Sequence, residues 1–280
     1  MRRSRHHRLD DTHRWSLDGR PTSSEPPSIE ARVWTLVSAM NDSVQIIPLA
    51  RLTLAFIPVC AVLFIIHRWS LGLRIGIIAV FRMVSQLLLV GYVLTFIFAS
   101  QHALVSVSVV AVMLSIAGWI ALRPLGKDRL NRYPTVLVSI CVGALPVLFI
   151  ATQLVLDLPT WFTPSMLIPL AGIVLANSMN TVSLAAERFR SESRRGANYQ
   201  AARQVAMSTA LIPMTNSLLA VGLVSLPGMM TGQILSGVTP LIAVRYQVLV
   251  MCMIFGSAGL ATSCYLVLQR PEPGTRSGAN

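Results

Sequence analysis

The sequence predicts an all-α polytopic membrane protein with about seven transmembrane helices. Only 12% of its 280 residues are charged and 54% are hydrophobic, whereas a typical soluble domain is roughly 25% charged. The hydrophobic residues form runs with lengths near the roughly 20 residues that a helix needs to cross a bilayer. Most arginines stand between these runs rather than within them. These observations together predict a helical bundle in the plasma or inner membrane of a cell.

The formal net charge of +12 comes almost entirely from arginine, since Lys127 is the only lysine. In a soluble protein this charge would suggest a nucleic-acid partner. Here the positive-inside rule explains it better, because basic residues gather in the cytoplasmic connections of membrane proteins. We therefore expect the lipid bilayer, and no nucleic acid, as a partner. The cysteines show no CxxC or zinc spacing, so we interpret them as buried apolar residues: Cys60, Cys141, Cys252 and Cys264.

Residues 1–39 form a polar, arginine-rich segment with a Pro/Ser-rich patch at Pro21–Ser28. We expect a disordered arm, because such a composition cannot bury enough apolar surface to fold. It contains no apolar core of a signal peptide. Met40 is a candidate for the true start of translation, which N-terminal sequencing of the native protein would check.

Residues 40–270 form the predicted transmembrane domain, and residues 271–280 a short polar tail. The sixth span is the least regular because it contains prolines and glycines. The seven predicted spans are Ile46–Ile66, Leu73–Ala99, Ala103–Leu122, Pro134–Leu156, Met166–Ala186, Asn216–Leu235 and Val244–Leu268.

The arginines predict the orientation of the chain. They lie in the connections after the first, third and fifth predicted spans and in the C-terminal tail. Residues 100–102 and 157–165 contain no lysine or arginine. The positive-inside rule therefore predicts an N-terminus outside and a C-terminus inside. The basic residues before Met40 would then have to cross the membrane, and a start at Met40 removes this conflict.

The stretch 222–247 is apolar enough for membrane depth, yet it contains helix breakers. Proline removes a backbone donor, and glycine costs about 1 kcal/mol in a helix interior. Inside a bilayer, a broken helix survives only where protein covers it or where it lines a watery path. Two interpretations follow: a kinked span packed against its neighbours, or a broken helix along a substrate route. The breakers are Pro227, Gly228, Gly232, Gly237 and Pro240.

Two predicted spans carry polar pairs. Arg82 and Gln86 are four residues apart and share a helix face, and an arginine at mid-bilayer costs at least about 2.5–3.5 kcal/mol on insertion scales. This arginine is either a structural residue bonded to carbonyls or a residue that lines or gates a pore. Asn177 and Asn180 are three apart, and they either form hydrogen bonds between helices or line a polar path.

The stretch 187–213 is predicted to be a cytoplasmic loop, charged in its first half. From Tyr199 to Ile212 its apolar residues follow the spacing of an amphipathic helix along the inner membrane surface. Such a helix either rests on lipid headgroups or docks a cytosolic partner.

Met229 and Met230 are candidates for metal ligands, since thioether sulfur favours soft ions. Adjacent residues on a regular helix point about 100° apart, so packing is the preferred interpretation. Thr231, Gln233, Tyr246 and Gln247 offer oxygen atoms to a hard ion, while Arg245 would repel cations. These residues do not identify a metal.

The sequence lacks the features that an ATPase, a hydrolase or a proton-coupled carrier would need. The chain has no GxxxxGK[ST] phosphate loop, so any ATP hydrolysis would take place in a separate chain. It has no constellation typical of a hydrolase, and we predict no catalytic residues. The predicted spans contain no aspartate or glutamate, which disfavours a proton-coupled carrier because such carriers usually keep a buried carboxylate or histidine.

The motifs of residues 226–247 resemble the signature of the FetB-type permeases. They comprise LPGMMTGQ at 226–233, followed by Gly237, Pro240, Ala243 and Tyr246-Gln247. Arg82, Gln86-Leu87 and Val90-Gly91-Tyr92 resemble a second motif, and Pro169, Ala171-Gly172 and Asn177 a third. The resemblance covers roughly Met40 to Leu268. That family comprises membrane subunits of ABC transporters linked to iron export, with plant relatives linked to aluminium tolerance.

The resemblance implies a permease subunit of an ABC exporter of metal ions. It implies no cofactor in this chain, and ATP and Mg in a separate cytosolic ATPase. Because seven spans are few for an alternating pathway, we also expect two permease copies around a central route. The ATPase-docking residues implied by the family pattern are Glu192, Gly196, Ala197 and Pro213. The chain departs from that pattern by being about one helical turn shorter between Gly196 and Pro213.

The candidate transport pathway combines the polar positions with the family motifs. Two alternatives remain: a secondary carrier driven by an ion gradient, and a non-transporting membrane anchor for a cytosolic partner. The missing carboxylates disfavour the carrier, and the polar residues within spans disfavour the anchor. The pathway residues are Arg82, Gln86, Asn177, Asn180, Pro227, Gly228, Met229, Met230, Thr231, Gly232, Gln233, Tyr246 and Gln247.

Overall fold

The computed structural model describes residues 47–99 and 102–270, and the regular elements within these ranges are helices. The predicted arm at 1–39 and tail at 271–280 lie outside the described residues. The helices are α1 Leu49–Leu52, α2 Phe56–Arg68, α3 Leu73–Ala99, α4 Ala103–Ala121, α5 Arg129–Phe149, α6 Pro164–Arg194, α7 Tyr199–Ala220, α8 Gly228–Leu235 and α9 Pro240–Leu268. A 3₁₀ turn joins α1 to α2, another 3₁₀ segment, Arg123–Asp128, joins α4 to α5, and a π-helical segment, Ile150–Val155, extends α5.

Six helices of the described part are long and apolar enough to cross a membrane, not the seven that we predicted. The predicted span Asn216–Leu235 is not one helix, because α7 ends at Ala220 and α8 begins only at Gly228. Glycine and proline between these residues account for the interruption. The six are Leu49–Arg68, Leu73–Ala99, Ala103–Ala121, Arg129–Val155, Pro164–Arg194 and Pro240–Leu268.

The stretch 187–213 comprises the end of one helix, a tight turn and most of a second helix; the predicted helix from Tyr199 is present and continues to Ala220, whereas the residues before it are helical to Arg194 rather than a loop. Helix α6 continues to Arg194 and α7 begins at Tyr199. Gly196 has a φ of +84°, a backbone conformation that favours glycine. The side chain of Asn198 caps α7 by accepting a hydrogen bond of 2.8 Å from the Ala201 amide.

One face of α7 packs against α6 and α9, whereas we predicted a helix along the inner membrane surface; many of its other residues are exposed in the chain. Ala202, Ala206 and Ala210 recur every four residues and are fully buried. Their small side chains let the neighbouring helices approach closely, as in many membrane bundles. At the start of α7, the Tyr199 hydroxyl donates a hydrogen bond of 2.9 Å to the Leu266 carbonyl of α9. Alanine, rather than the larger apolar residues of this helix, therefore forms its packed face.

The core lies where α4, α5, α6 and α9 meet. Gly143 of α5 faces α9 so closely that an added Cβ would lie 2.5 Å from the amide nitrogen of Ala261. Ile140, Val174 and Tyr265 are among the largest fully buried side chains. The interpretation of the cysteines as buried was wrong, since two are exposed in the chain and two are only partly buried.

The first three helices contain no buried residue within this single chain. Helices α2 and α3 pack against each other at Gly76, where an added Cβ would meet Leu63 at 2.7 Å. Because they bury so little against α4–α9, these helices present nearly all of their surface to lipid or to another protein chain.

The α4–α5 connection is held to α6 by Arg190, whose guanidinium donates to the Leu125 carbonyl at 2.7 Å and to the Asp128 carboxylate at 2.9 Å.

Replacing Arg190 with alanine should lower the free energy of unfolding by about 1.5 kcal/mol, because both bonds involve a charged group. Amide exchange over 123–128 should become faster. Asp128→Asn keeps the bond to Leu125 and should cost less than about 1 kcal/mol. Equal losses of unfolding free energy in the Arg190→Ala and Asp128→Asn variants would contradict the role of Arg190 in holding the connection.

Candidate functional site

The chain breaks its helical path between α7 and α8. After Ala220 the backbone turns through Gly222, which has a φ of +81°, and the amides of Val224 and Ser225 donate back to the Ala220 carbonyl at 2.8 and 3.2 Å. Pro227 then stands directly before α8, which has only eight residues. The helix is therefore interrupted at 221–227, as in the second of our two interpretations, and the substrate route of that interpretation stays a prediction.

A second turn separates α8 from α9. Gly237 has a φ of +87° and its amide donates to the Ile234 carbonyl at 3.0 Å. Pro240 begins α9, at a position where its missing amide hydrogen costs no helical hydrogen bond. The glycines and prolines singled out in the sequence therefore stand mainly at the two turns and at the starts of α8 and α9.

A cavity of about 520 Å³ lies beside the interruption, between α6, α7, α8 and α9. We call it the break cavity. It has an apolar wall that includes methionines from three different helices, Met214, Met229 and Met251. Among the described residues that line it, none carries a formal charge. Its polar lining residues are Asn177, Asn216, Ser217, Ser225 and Gln247.

Gln247 is the most deeply buried polar residue of this wall, with 6% of its surface exposed. Its Oε1 atom has no hydrogen-bond partner among the described residues. A buried polar atom without a partner typically costs about 1–3 kcal/mol.

Asn177 also faces the break cavity, from α6. Its Nδ2 donates to the Ile173 carbonyl of the same helix at 2.8 Å. The nitrogen therefore does not join two helices, which was one of the two roles that we considered. Asn180 is exposed and does not line the cavity, so the two asparagines do not act as a pair.

The structure brings together only some of the predicted pathway residues: Asn177, Pro227, Met229 and Gln247 line the break cavity. Several others belong to α8 or α9 but lie outside its wall: Gly228, Met230, Thr231, Gly232, Gln233 and Tyr246. Sequence reasoning missed Asn216, Ser217 and Ser225. The polar pair 216–217 within an apolar run was a signal that could have found two of them.

Arg82 and Gln86 lie in a separate groove of about 590 Å³ between α3 and the end of α4. As their spacing predicted, they share one helix face. Arg129 lies across this groove, 4.4 Å from the ring centre of Trp119, and donates to the Trp119 carbonyl at 2.7 Å. Within one chain the groove shares no residue with the break cavity.

The four candidate docking residues do not all lie together. Glu192, Gly196 and Ala197 gather at the α6–α7 turn, where the Ala197 amide donates to the Glu192 carbonyl at 3.2 Å. The Glu192 carboxylate pairs with Arg188 at 2.9 Å. Pro213 lies well inside α7, several helical turns from Gly196.

Comparison with known proteins decides the family. A family model described as "Uncharacterised protein family (UPF0014)" matches residues 49–272. The chain belongs to the UPF0014 family. No solved structure matches it.

Curated relatives of this UPF0014 chain include membrane proteins of bacteria and plants. The "Probable iron export permease protein FetB" of Escherichia coli is 33% identical over 237 residues, which cover 78% of this chain and 90% of the relative. "UPF0014 membrane protein YjkA" of Bacillus subtilis is 34% identical over 79% of this chain and 93% of the relative. "Protein ALUMINUM SENSITIVE 3" of Arabidopsis thaliana is 32% identical over 68% of this chain and 74% of the relative.

These relatives confirm the resemblance that the motifs carried. With six candidate spans, this UPF0014 chain is a multi-pass membrane protein related to a probable iron export permease. Among the described residues, no group of three or more His, Cys, Asp or Glu side chains could hold a metal ion.

Proposed function

We propose that this chain is the membrane permease subunit of an ABC transporter that exports iron-like metal ions across the plasma or inner membrane. A separate cytosolic ATPase binds ATP and Mg and supplies the energy, and this chain needs no cofactor. The name of the Escherichia coli relative supports the substrate and the direction. The structural observation that carries the proposal is the helix interruption at 221–227 beside the break cavity.

An interrupted helix in a bilayer needs a reason, because each unsatisfied backbone group costs several kcal/mol in hydrocarbon. The amides of residues 221–225 are paired within the turn, and a water-filled path is a setting in which such irregular backbone is tolerated at membrane depth. The break cavity lies against this interruption and exposes five polar side chains to it. A simple membrane anchor would gain nothing from such an arrangement.

Helix α7 offers a mechanical link between the ATPase and the cavity. It runs as one continuous helix from the α6–α7 turn to the interruption, and its 22 residues span about 33 Å. The fully buried residues of α7, where it packs against its neighbours, are alanines. Their small side chains would let α7 shift by small distances along α6 and α9. Movement of the α6–α7 turn by the ATPase would therefore move the wall of the break cavity at the other end of α7.

The α4–α5 connection, the α6–α7 turn and the end of α9 carry arginines and meet at one end of the bundle. We propose that this is the cytoplasmic end. Arg132 donates a hydrogen bond to the side chain of Gln269, Arg190 holds the α4–α5 connection, and Tyr199 contacts Leu266. In our proposal α7 and α8 together make one broken crossing. The N-terminus then lies outside and the C-terminus inside, as the positive-inside rule requires.

A second copy of the chain completes the proposed transporter. Helices α2 and α3 contain no buried residue within one chain, and Arg82 is exposed on α3. In a helix that crosses the bilayer, contact of this arginine with lipid would be costly. A homodimer that covers this face would shield Arg82 and Gln86 from hydrocarbon.

The docking role of the α6–α7 turn can be tested by charge reversal. Arg194 and Arg195 are exposed there, and electrostatic complementarity commonly guides protein association. With Arg194→Glu and Arg195→Glu together, we expect at least about tenfold less Walker-motif ATPase to co-purify in mild detergent, which is roughly 1.4 kcal/mol of binding. ATP-driven metal flux in vesicles should fall in parallel.

Arg245→Glu is the matched control, because Arg245 is an exposed arginine at the opposite end, near the start of α9. It should retain the ATPase. If the unaltered chain brings down no ATPase while it remains folded, the ABC proposal is wrong. Flux driven by an ion gradient alone would then identify a secondary carrier, and no flux at all a membrane anchor.

A further inference from the structure

We call the groove between α3 and the end of α4 the arginine groove, because three segments of the chain place arginines in its lining. These are Arg82 of α3, Arg123 of the α4–α5 connection and Arg129 of α5, and among the described lining residues none is acidic. Within the part of the chain that the structure describes, none of the three forms an ion pair. Asp128 precedes Arg129 in the chain, but its carboxylate is paired with Arg190 at 2.9 Å. The described part of the chain therefore gives this groove no counter-charge.

The position of Arg82 makes an uncompensated charge costly. This residue lies about 14 Å along α3 from Leu73, the first residue of a helix that is long and apolar enough to cross a membrane. The groove residues beside it on α3 include Ile75, Ile78 and Leu87, which are all exposed. An arginine at mid-bilayer costs at least about 2.5–3.5 kcal/mol on insertion scales. A partner that brings negative charge into the groove would lower such a cost.

A second copy of the chain does not supply this negative charge through α2 and α3. Residues 47–99 contain no aspartate or glutamate. The homodimer proposed above would cover these helices, but it would bring a second Arg82 rather than a carboxylate to this face. Like charges repel each other most strongly where the dielectric constant is low. A counter-charge from another molecule is therefore favoured, and the surrounding membrane contains anionic phosphates.

The arginine groove has the chemistry that recognises a phospholipid headgroup. Guanidinium groups form paired, charge-assisted hydrogen bonds with phosphate oxygens. Arg129 is held in place, since it lies 4.4 Å from the ring centre of Trp119 and donates to the Trp119 carbonyl at 2.7 Å. Trp119 is 43% exposed, and tryptophan is enriched where hydrocarbon meets the headgroups. The connection that carries Arg123 belongs to the proposed cytoplasmic end, where basic pockets between transmembrane helices bind anionic headgroups.

The apolar part of the groove distinguishes a lipid from a free phosphate ion. Most of the residues that line its volume of about 590 Å³ are apolar, including Ile78 and Leu87 of α3 and Ile120 of α4. Acyl chains pack against such a wall, whereas a phosphate ion leaves it uncovered. A phospholipid therefore matches both the charged and the apolar residues of the groove.

We propose that the arginine groove binds an anionic phospholipid, with its phosphate against Arg82 and Arg123 and its acyl chains along the apolar residues of α3 and α4. Arg129, fixed beside Trp119, adds a third positive charge. A zwitterionic lipid brings a cation of its own to these arginines, so it binds more weakly. Lipid binding at this groove does not depend on what the chain transports.

Three probes separate the charge of the headgroup from the acyl chains. Dioleoyl phosphatidylglycerol is anionic, dioleoyl phosphatidylcholine has the same chains and a zwitterionic headgroup, and glycerol phosphate carries the anionic group without chains. Each is titrated into the purified full-length chain in a neutral detergent, and native mass spectrometry measures the fraction of the protein that carries it. We expect phosphatidylglycerol to bind at least about tenfold more tightly than either other probe, a difference of roughly 1.4 kcal/mol.

Two substitutions test the groove itself. Arg82→Gln and Arg123→Gln should each weaken phosphatidylglycerol binding about fivefold, because an arginine near anionic lipid contributes about 1 kcal/mol. Neither should change the binding of phosphatidylcholine. Arg74→Gln is the matched control, since Arg74 is an exposed arginine of α3 outside the groove lining, and it should keep the affinity of the unaltered chain. Arg123 lies outside the long helices, so its variant tests the groove even if Arg82→Gln does not fold.

Equal affinity of the unaltered chain for the two lipids would overturn the inference. Equal losses in Arg74→Gln and in the groove variants would also overturn it, because they would show attraction by surface charge in general. Displacement of phosphatidylglycerol by an equal concentration of glycerol phosphate would identify a soluble phosphate, rather than a lipid, as the ligand. A dimer that binds no lipid would show that the second copy alone covers α3. The assay measures no flux, so its result is separate from that of the proposed function.

Discussion

Replacing Gly143 with alanine should lower the free energy of unfolding by about 3 kcal/mol or more, at the upper end of overpacking costs. The new Cβ would lie 2.5 Å from the Ala261 amide nitrogen, 2.6 Å from the Ala261 Cβ and 2.7 Å from the Ser257 carbonyl oxygen. Two of these are backbone atoms of α9, which cannot rotate away. Helices α5 and α9 would have to separate, which disrupts the centre of the core.

Gly259→Ala is the matched control, because Gly259 lies on α9 itself and an added Cβ there meets nothing within 4 Å. This variant should be as stable as the unaltered chain or slightly more so, since alanine favours a helix over glycine. Thermal unfolding of both purified variants in detergent, followed by circular dichroism, measures the difference. A midpoint for Gly143→Ala equal to that of Gly259→Ala would show that α5 and α9 are not in such close contact.

Replacing Ala206 with leucine should cost roughly 2–3 kcal/mol of stability and abolish ATP-driven flux. Ala206 is fully buried at the middle of the alanine stripe, where α7 packs against its neighbours. A larger side chain would push α7 outwards and shift the wall of the break cavity at its far end. The proposed link between turn and cavity depends on this contact, so function should be lost before the fold is lost.

Ala201→Leu provides the comparison, since Ala201 is an exposed alanine on the same helix. The same substitution there should leave thermal stability and flux close to those of the unaltered chain. Flux is measured in vesicles that contain the variant together with its ATPase. Normal flux through Ala206→Leu at full stability would mean that α7 does not transmit the motion.

Hydropathy predicted several helices closely because long apolar runs in a membrane have few alternatives to helix. The predicted span Leu73–Ala99 has the bounds of α3, and Ala103–Leu122 ends one residue beyond α4. Hydropathy predicted a single span at Asn216–Leu235, which is wrong, because apolar residues continue across the helix interruption. The interruption depends on backbone conformation at Gly222 and Pro227, which hydropathy does not measure.

The charged stretch 187–213 misled the prediction for a different reason. Charge indicates exposure to water, and an exposed helix end looks like a loop in a hydropathy profile. Helix α6 has 31 residues and a length of about 46 Å, so it extends beyond a hydrocarbon core of roughly 30 Å. The alanines of α7 were visible in the sequence, but their small size made them weak as a hydrophobic signal.

The sequence alone determined the class of the protein and its family, and it placed the helix breakers near Pro227. These properties depend on composition and local residue type, which are independent of the rest of the fold. Only the tertiary structure decided that Gln247 and Asn177 share a cavity with Asn216, Ser217 and Ser225, and that Arg82 faces a different groove. Positions far apart in the chain meet through the packing of α6, α7 and α9, and no spacing within one helix specifies such a meeting.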